Sequence, residues 1–137
     1  MGLIYLDSCL LIYLLEQHPD WGHAVQAAVT KQTASTKQTA SRFAISGLTK
    51  MECMVMPVRT ADVMLQRRFE AGFRLYQTLD TTEPVFMLAA QLRARFGLKT
   101  PDALHLACAQ YHRCDALWTN DDRLTKAGLG LAVNILR

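Results

Sequence analysis

Apolar residues in this chain come in two kinds of run, and the two kinds alternate. Short blocks at residues 2–6, 42–45, 116–119 and 131–136 are rich in Ile, Leu, Val and aromatic residues, the composition of strands covered on both faces. Between them the apolar positions recur at three and four, the period of a helix. A first helix is predicted from Ser8 to about Gln17, where Pro19 forces a break, and a second from Asp20 through Ala24 and Ala28. Ser46 caps a helix, GLTKMECMVM, that ends before Pro57. Thr60 caps another, in which Leu65, Phe69, Phe73 and Tyr76 form the stripe. After a short connection at residues 79–82, Val85, Leu88, Ala89, Leu92 and Phe96 mark a regular helix with Gly97 as its stop. Thr100, Pro101 and Asp102 open a further helix as N-cap, first helical residue and first-turn acid, and it runs to about His112. Residues 120–125 turn into a last short helix.

Strands that alternate with helices predict an α/β fold: a three-layer sandwich with a mostly parallel central sheet, right-handed crossovers and helices on both faces. With 137 residues, half of them hydrophobic, one core suffices and a single domain over residues 1–137 is expected. The tandem hexapeptide TKQTAS, at residues 30–35 and 36–41, has no apolar period and reads as a duplicated surface helix end or loop.

Composition narrows the setting without naming a function. A formal net charge of +3 is compatible with a polyanionic partner and far from that of a histone-like protein. Cys9, Cys53, Cys108 and Cys114 form no C-x-x-C pair and no secretory signal precedes Leu3, so reduced thiols in a cytoplasmic protein are expected. The apolar segments are too short and interrupted to cross a membrane.

In an open parallel sheet, ligands bind at the carboxyl ends of the strands. Asp7 and the pair Asp121 and Asp122 fall at such ends, and Asp102 opens a helix that can start on the same edge. Glu52 is the fourth position, on a helix whose Leu48, Thr49, Val55 and Met56 suggest a mostly apolar stripe, so its carboxylate is expected at the edge of the core. Each acid alone has an ordinary explanation: Asp7 as a helix cap, Asp102 as a partner of the macrodipole, Asp122 as a cap or surface acid. Together they would repel one another unless a cation neutralised them. Hard divalent ions such as Mg²⁺ suit an all-oxygen site and support metal-dependent hydrolysis of a phosphodiester. His105, Cys108 and His112 share a helix face and could ligate a soft metal, but no fourth ligand is evident. There is no glycine-rich phosphate loop, and Ser8 and Ser46 lack the Gly-x-Ser-x-Gly setting of a hydrolase nucleophile.

IYLDSCLLIYLLE, LTKMEC, LKTPDALHLACA and LWTNDDRL, in this order and at this spacing, resemble the PIN-domain family, and specifically its VapC-like toxins of type II toxin–antitoxin systems. The likeness covers nearly the whole chain. It implies a PIN-like α/β ribonuclease dependent on Mg²⁺ or Mn²⁺, a homodimer, and a partner antitoxin that holds it inactive. The substrate implied is structured RNA, such as tRNA or rRNA. Carried over by residue, it implies Asp7, Glu52, Asp102 and Asp121 as the catalytic, metal-binding acids, with Asp122 ambiguous between sharing the metal and replacing Asp121. Ser8, Thr119 and Asn120 match supporting polar positions. Cys9 departs from the Asn more usual two residues after the first acid, and the hexapeptide repeat is also unlike the family pattern.

Arg67, Arg68, Arg74, Lys99 and Arg123 are available for phosphate contacts. Two other functions compete with the nuclease. A receiver-like module would accept a phosphoryl group on an Asp, but it wants a Lys at a late strand end and ALWTND supplies none. A catalytically inactive PIN-fold binding module would keep the fold and lose the metal.

Overall fold

The structure is a computed structural model that describes residues 2–34, 43–128 and 130–136. Five strands form one sheet: β1 (Ile4–Leu6), β2 (Phe43–Ser46), β3 (Gln77–Leu79), β4 (Ala116–Thr119) and β5 (Ala132–Asn134). Their order is β3-β2-β1-β4-β5 and every pair is parallel. Seven helices connect them among the described residues: α1 (Ser8–Leu15), α2 (Gly22–Ala34), α3 (Gly47–Arg59), α4 (Val63–Phe73), α5 (Glu83–Phe96), α6 (Thr100–Tyr111) and α7 (Asp122–Ala127).

The layers follow from the direction of travel. From β1 to β3 the chain moves one way across the sheet, and from β3 to β5 it moves back the other way. Right-handed crossovers then put the two sets of helices on opposite faces. The core is divided accordingly. Ile4, Leu6, Phe43 and Ile45 pack with Leu10, Leu11, Val25, Cys53, Phe69 and Phe73 from α1 to α4. Tyr5, Ala44, Leu79, Leu117 and Ala132 face the other way, onto Val85, Ala89, Leu92, Leu106, Ala107 and Leu124 from α5 to α7. Alternate residues of β1 thus serve opposite layers, which is why its burial is unbroken.

Local chemistry differs from the sequence expectation at several ends, each for a physical reason. The α3 helix runs through Pro57 to Arg59; the proline ring is buried, and the last turn is closed by the Thr60 N–H and Oγ1 donating to Met56 O. Thr60 ends α3, and it is Asp62 that caps α4, accepting the Leu65 N–H at 3.0 Å. The α4 helix stops at Phe73, before Tyr76, whose ring meets Phe43 edge-on. Thr100 is already helical and Lys99 holds the N-cap position of α6. β3 is not among the expected strands: it lies between the predicted end of α4 and the connection at residues 79–82, sharing only Leu79 with the latter, and as a short edge strand with two exposed polar residues it has no apolar run to announce it. Val55 and Met56 are exposed, and the buried face of α3 is Thr49, Cys53 and Pro57.

Ser46 caps α3 as expected, in a reciprocal box with Thr49. Gly97 ends α5 with a left-handed φ of 68°, a backbone conformation that glycine adopts without strain. Helix α2 includes the first hexapeptide as far as Ala34, while residues 35–42, and with them the second hexapeptide and Arg42, lie outside the described residues.

Leu117 sits fully buried on β4 between the sheet centre and α6. Leu117→Ala should lower unfolding free energy by about 2–5 kcal/mol in urea titration. Met64→Ala, at a position 72% exposed, should change it by no more than about 0.5 kcal/mol.

Candidate active site

The strand order reverses between β1 and β4, so their carboxyl ends splay apart beneath helices that leave on opposite faces. That crevice is where an open parallel sheet binds ligands. Asp7 and Asp121 follow these two strands, Glu52 comes from the second turn of α3, and Asp102 from the first turn of α6. A cavity of 570 Å³ is lined by Asp7, Glu52, Asp102, Asp121 and Asp122, together with Ser8, Cys9, Tyr13, His105, Asn120 and Arg123. All five acids singled out in the sequence meet at one opening.

Asp7 occupies the N-cap position of α1 with extended backbone, yet its carboxylate makes no capping hydrogen bond. Its Oδ2 instead accepts the Thr119 hydroxyl at 2.7 Å, and the Asp7 N–H donates to Trp118 O. The capping role expected of this side chain is therefore absent, and the carboxylate is turned across the crevice to β4. Thr119 also accepts the Asp121 N–H at 3.0 Å, so a single buried hydroxyl joins the first acid to the backbone of the last. Asn120 turns elsewhere, its side-chain amide donating to the Tyr13 hydroxyl at 3.4 Å.

Glu52 is half-buried. Its Oε1 accepts the Ser8 hydroxyl at 2.8 Å and lies 2.6 Å from His105 Nε2. Burial pushes the Glu52 carboxyl up, but its contacts with His105 and Ser8 more than offset this, leaving it below the ordinary glutamate value. Asp102 goes the other way: burial raises it, and the negative charges of Asp121 and Asp7 raise it further. Asp121 is opposed by burial but lowered overall by Arg123, which binds both its carboxylate oxygens at 3.3 and 3.2 Å, and by the charge of Lys99. Asp122 Oδ1 accepts from the Asn134 side chain at 3.1 Å.

The thiol of Cys9 faces the same cavity, but burial and then the Asp7 charge push it well above the usual thiol range, so it is a neutral wall. The soft-metal grouping on α6 does not form. His105 turns into the cavity, His112 Nε2 lies 2.7 Å from Asp80 O, and Cys108 is buried in the core. The sequence points to His105 only as part of that discounted grouping, and its place in this cavity is missed. The signal was its position three residues after Asp102, which puts both on one face of α6.

A family model described as PIN domain matches residues 4–129. The chain belongs to the PIN domain family. Solved structures share the fold of this PIN domain: a toxin–antitoxin complex from Klebsiella pneumoniae is 24% identical with a TM-score of 0.76, covering 96% of this chain and 97% of that one. FitAcB from Neisseria gonorrhoeae is 19% identical with a TM-score of 0.78, covering 98% and 99%. VapC20 from Mycobacterium tuberculosis, a sarcin–ricin-loop-cleaving toxin, is 12% identical with a TM-score of 0.73, covering 91% and 95%. A comparison with curated proteins gave no match.

The donors in this PIN domain fit a hard divalent cation. They are carboxylate oxygens, and beyond the effect of burial Asp102 is raised by the charges of Asp121 and Asp7, a repulsion such an ion would relieve. Among the described residues no three His, Cys, Asp or Glu side chains are gathered into a ready-made cage. The acids look across an open cavity instead, an arrangement suited to an ion that keeps several of its waters.

Because the folded protein holds Asp102 above its ordinary value, this carboxylate costs stability when ionised, and the cost disappears as pH falls through its raised folded pKa. Asp102→Asn should therefore raise the melting temperature of the metal-free protein near neutral pH by about 2 °C. That corresponds to roughly 0.5 kcal/mol at a partly exposed, screened site. The gain over wild type should shrink as the buffer is taken from about pH 7 toward pH 4, followed by scanning fluorimetry. A gain that does not change with pH would show that ionisation of Asp102 is not its source.

Proposed function

We propose that the chain is a divalent-metal-dependent endoribonuclease of VapC type, the toxin of a toxin–antitoxin pair, acting on structured RNA such as tRNA or rRNA. The observation that carries this reading is the convergence of Asp7, Glu52, Asp102, Asp121 and Asp122 on one cavity at the point where the strand order reverses. VapC toxins are generally nucleases, and one of the fold relatives is a sarcin–ricin-loop-cleaving toxin.

Asp7, Glu52, Asp102 and Asp121 would hold the cation, Mg²⁺ or Mn²⁺, with Asp122 at the rim as a further ligand. When bound, that ion supplies an acidified water and positive charge at the scissile phosphate. The chain's own residues do the rest. Thr119 and Ser8 hold the carboxylates of Asp7 and Glu52 by hydroxyl donors, so the negative charge is presented at fixed positions. Arg123 binds Asp121 from an exposed position, and its guanidinium can exchange that carboxylate for a phosphate oxygen of the entering RNA. This exchange would free Asp121 for the cation. The receiver-like alternative wants a lysine at this end of β4, and among the described residues none lines the cavity.

The partners proposed are an antitoxin and a second copy of the chain. Fold relatives include toxin–antitoxin assemblies, among them FitAB bound to a DNA fragment. On this chain, Met51, Met56, Val58, Val63 and Met64 of α3 and α4 are more than half exposed, a concentration of apolar surface suited to such partners. No helix among the described residues is long and apolar enough to cross a membrane; a cytoplasmic site of action is part of the proposal.

Asp7→Asn and Glu52→Gln should each reduce cleavage of total cellular RNA in Mg²⁺ or Mn²⁺ by at least about 100-fold, the upper end of what loss of a supporting contact costs. The fold should persist, because Asp7 does not cap α1 and an asparagine can still accept from Thr119. Sequencing the 5′ ends of the products would name the RNA. Undiminished cleavage in both variants would overturn the assigned site.

A further inference from the structure

His105 is 1% exposed, and both ring nitrogens are engaged. Nε2 lies 2.6 Å from Glu52 Oε1 and 3.9 Å from Asp7 Oδ1, while Nδ1 lies 2.6 Å from the buried hydroxyl of Tyr5. That hydroxyl is also 2.7 Å from Ser46 Oγ and 3.3 Å from Thr49 Oγ1. One consistent set of directions for these bonds starts at the far end. In the cap of α3, Ser46 Oγ accepts the Thr49 N–H and Thr49 Oγ1 accepts the Ser46 N–H, so both hydroxyls have a proton to give. Ser46 Oγ also lies 3.4 Å from Thr49 Oγ1; with its proton given to the shorter contact, the 2.7 Å one to Tyr5, the Tyr5 proton goes to His105 Nδ1. A neutral imidazole that accepts at Nδ1 carries its proton on Nε2, and an ionised Glu52 can only accept it. With these directions the buried chain ends on the Glu52 carboxylate.

We propose that His105 is a positioning residue for Glu52. Ser46 and Tyr5 hold its ring in the Nε2–H tautomer, and His105 with Ser8 fixes Glu52 Oε1 so that Oε2 is the oxygen offered to the cation. The cap of α3 and the metal-facing carboxylate of the same helix are thereby one hydrogen-bonded unit that passes through β1 and α6. This role rests on the cavity being a metal site. Orientation of a ligating carboxylate by such outer contacts is worth about 10–100-fold in metal affinity.

The test uses the whole chain, free of metal and then titrated with Mn²⁺. Nitrogen-15 histidine spectra of the metal-free protein should show one of its four histidines with an unprotonated Nδ1 and a protonated Nε2, and that signal should vanish in His105→Phe. In Tyr5→Phe it should move toward a tautomer average, because the phenylalanine fills the same space without the donor. By calorimetry, both variants should bind Mn²⁺ about 10–100-fold more weakly than wild type, and His105→Gln, which keeps an N–H to donate, should recover part of the loss. A proton on Nδ1, or Mn²⁺ affinities in folded Tyr5→Phe and His105→Phe within about twofold of wild type, would overturn the role of His105 alone. Absence of Mn²⁺ binding by the wild-type chain would overturn the metal reading and this role together, with the spectra still reporting whether the tautomer is held.

Discussion

Like charges at the edge of a dry core are the constraint around which this structure is arranged. Asp7 is buried and Glu52 half-buried, their carboxylates are close enough to share the Ser8 hydroxyl as a neighbour, and neither has a salt bridge to a lysine or arginine among the described residues. What holds them is a set of neutral donors: Thr119 on Asp7, Ser8 and His105 on Glu52. Neutral donors satisfy a carboxylate without cancelling its charge, so the negative field survives for a cation. A full ion pair at the same place would stabilise the fold and remove the site. Asp121, which does have an arginine, sits farther out, where the pair is exposed and exchangeable.

The sheet makes this arrangement possible. Parallel strands send all their carboxyl ends to one edge, and the reversal of order between β1 and β4 opens a crevice there that no crossover helix fills. The same reversal sends α3 and α6 to opposite faces, so Glu52 and His105 approach the crevice from either side and meet across it. Tyr5 shows the coupling in one residue: it is part of the core with α5 and α6, and its hydroxyl is also the far anchor of the carboxylate chain. Packing and site are not separable at that position, which leaves Tyr5→Phe a sharper probe than any truncation.

The sheet's central strands were legible because each is an apolar block long enough to be covered on both faces. The edges were less so. Gln77–Leu79 becomes a strand by pairing with β2, an interaction its own residues do not advertise, and β5 shrinks to Ala132–Asn134. Pro57 and Thr60 misled for one reason. Local rules place a break at a proline and a cap at a threonine, whereas burial of the Pro57 ring and the stronger Asp62 carboxylate moved both boundaries. For Glu52 the expected depth was right and its stated cause was not, since Val55 and Met56 face outward and the residue is drawn in by Ser8 and His105.

By itself the sequence determined the layered α/β class, the strand ends that carry Asp7 and Asp121, and the presence of two further acids on helices, because period, strand composition and acid placement are properties of neighbouring residues. Only the tertiary structure decided that Asp7 turns away from its helix cap to Thr119, that Asp121 is bridged by Arg123, and that His105 belongs to Glu52 rather than to Cys108 and His112. Those outcomes join positions 112, 2 and 53 residues apart. The Arg123 pair is close in sequence, yet it matters to the site only because the strand order places the end of β4 beside that of β1. A hydrogen bond is selected by where the chain's other elements put its acceptor, and that is fixed by the packing of the whole sheet.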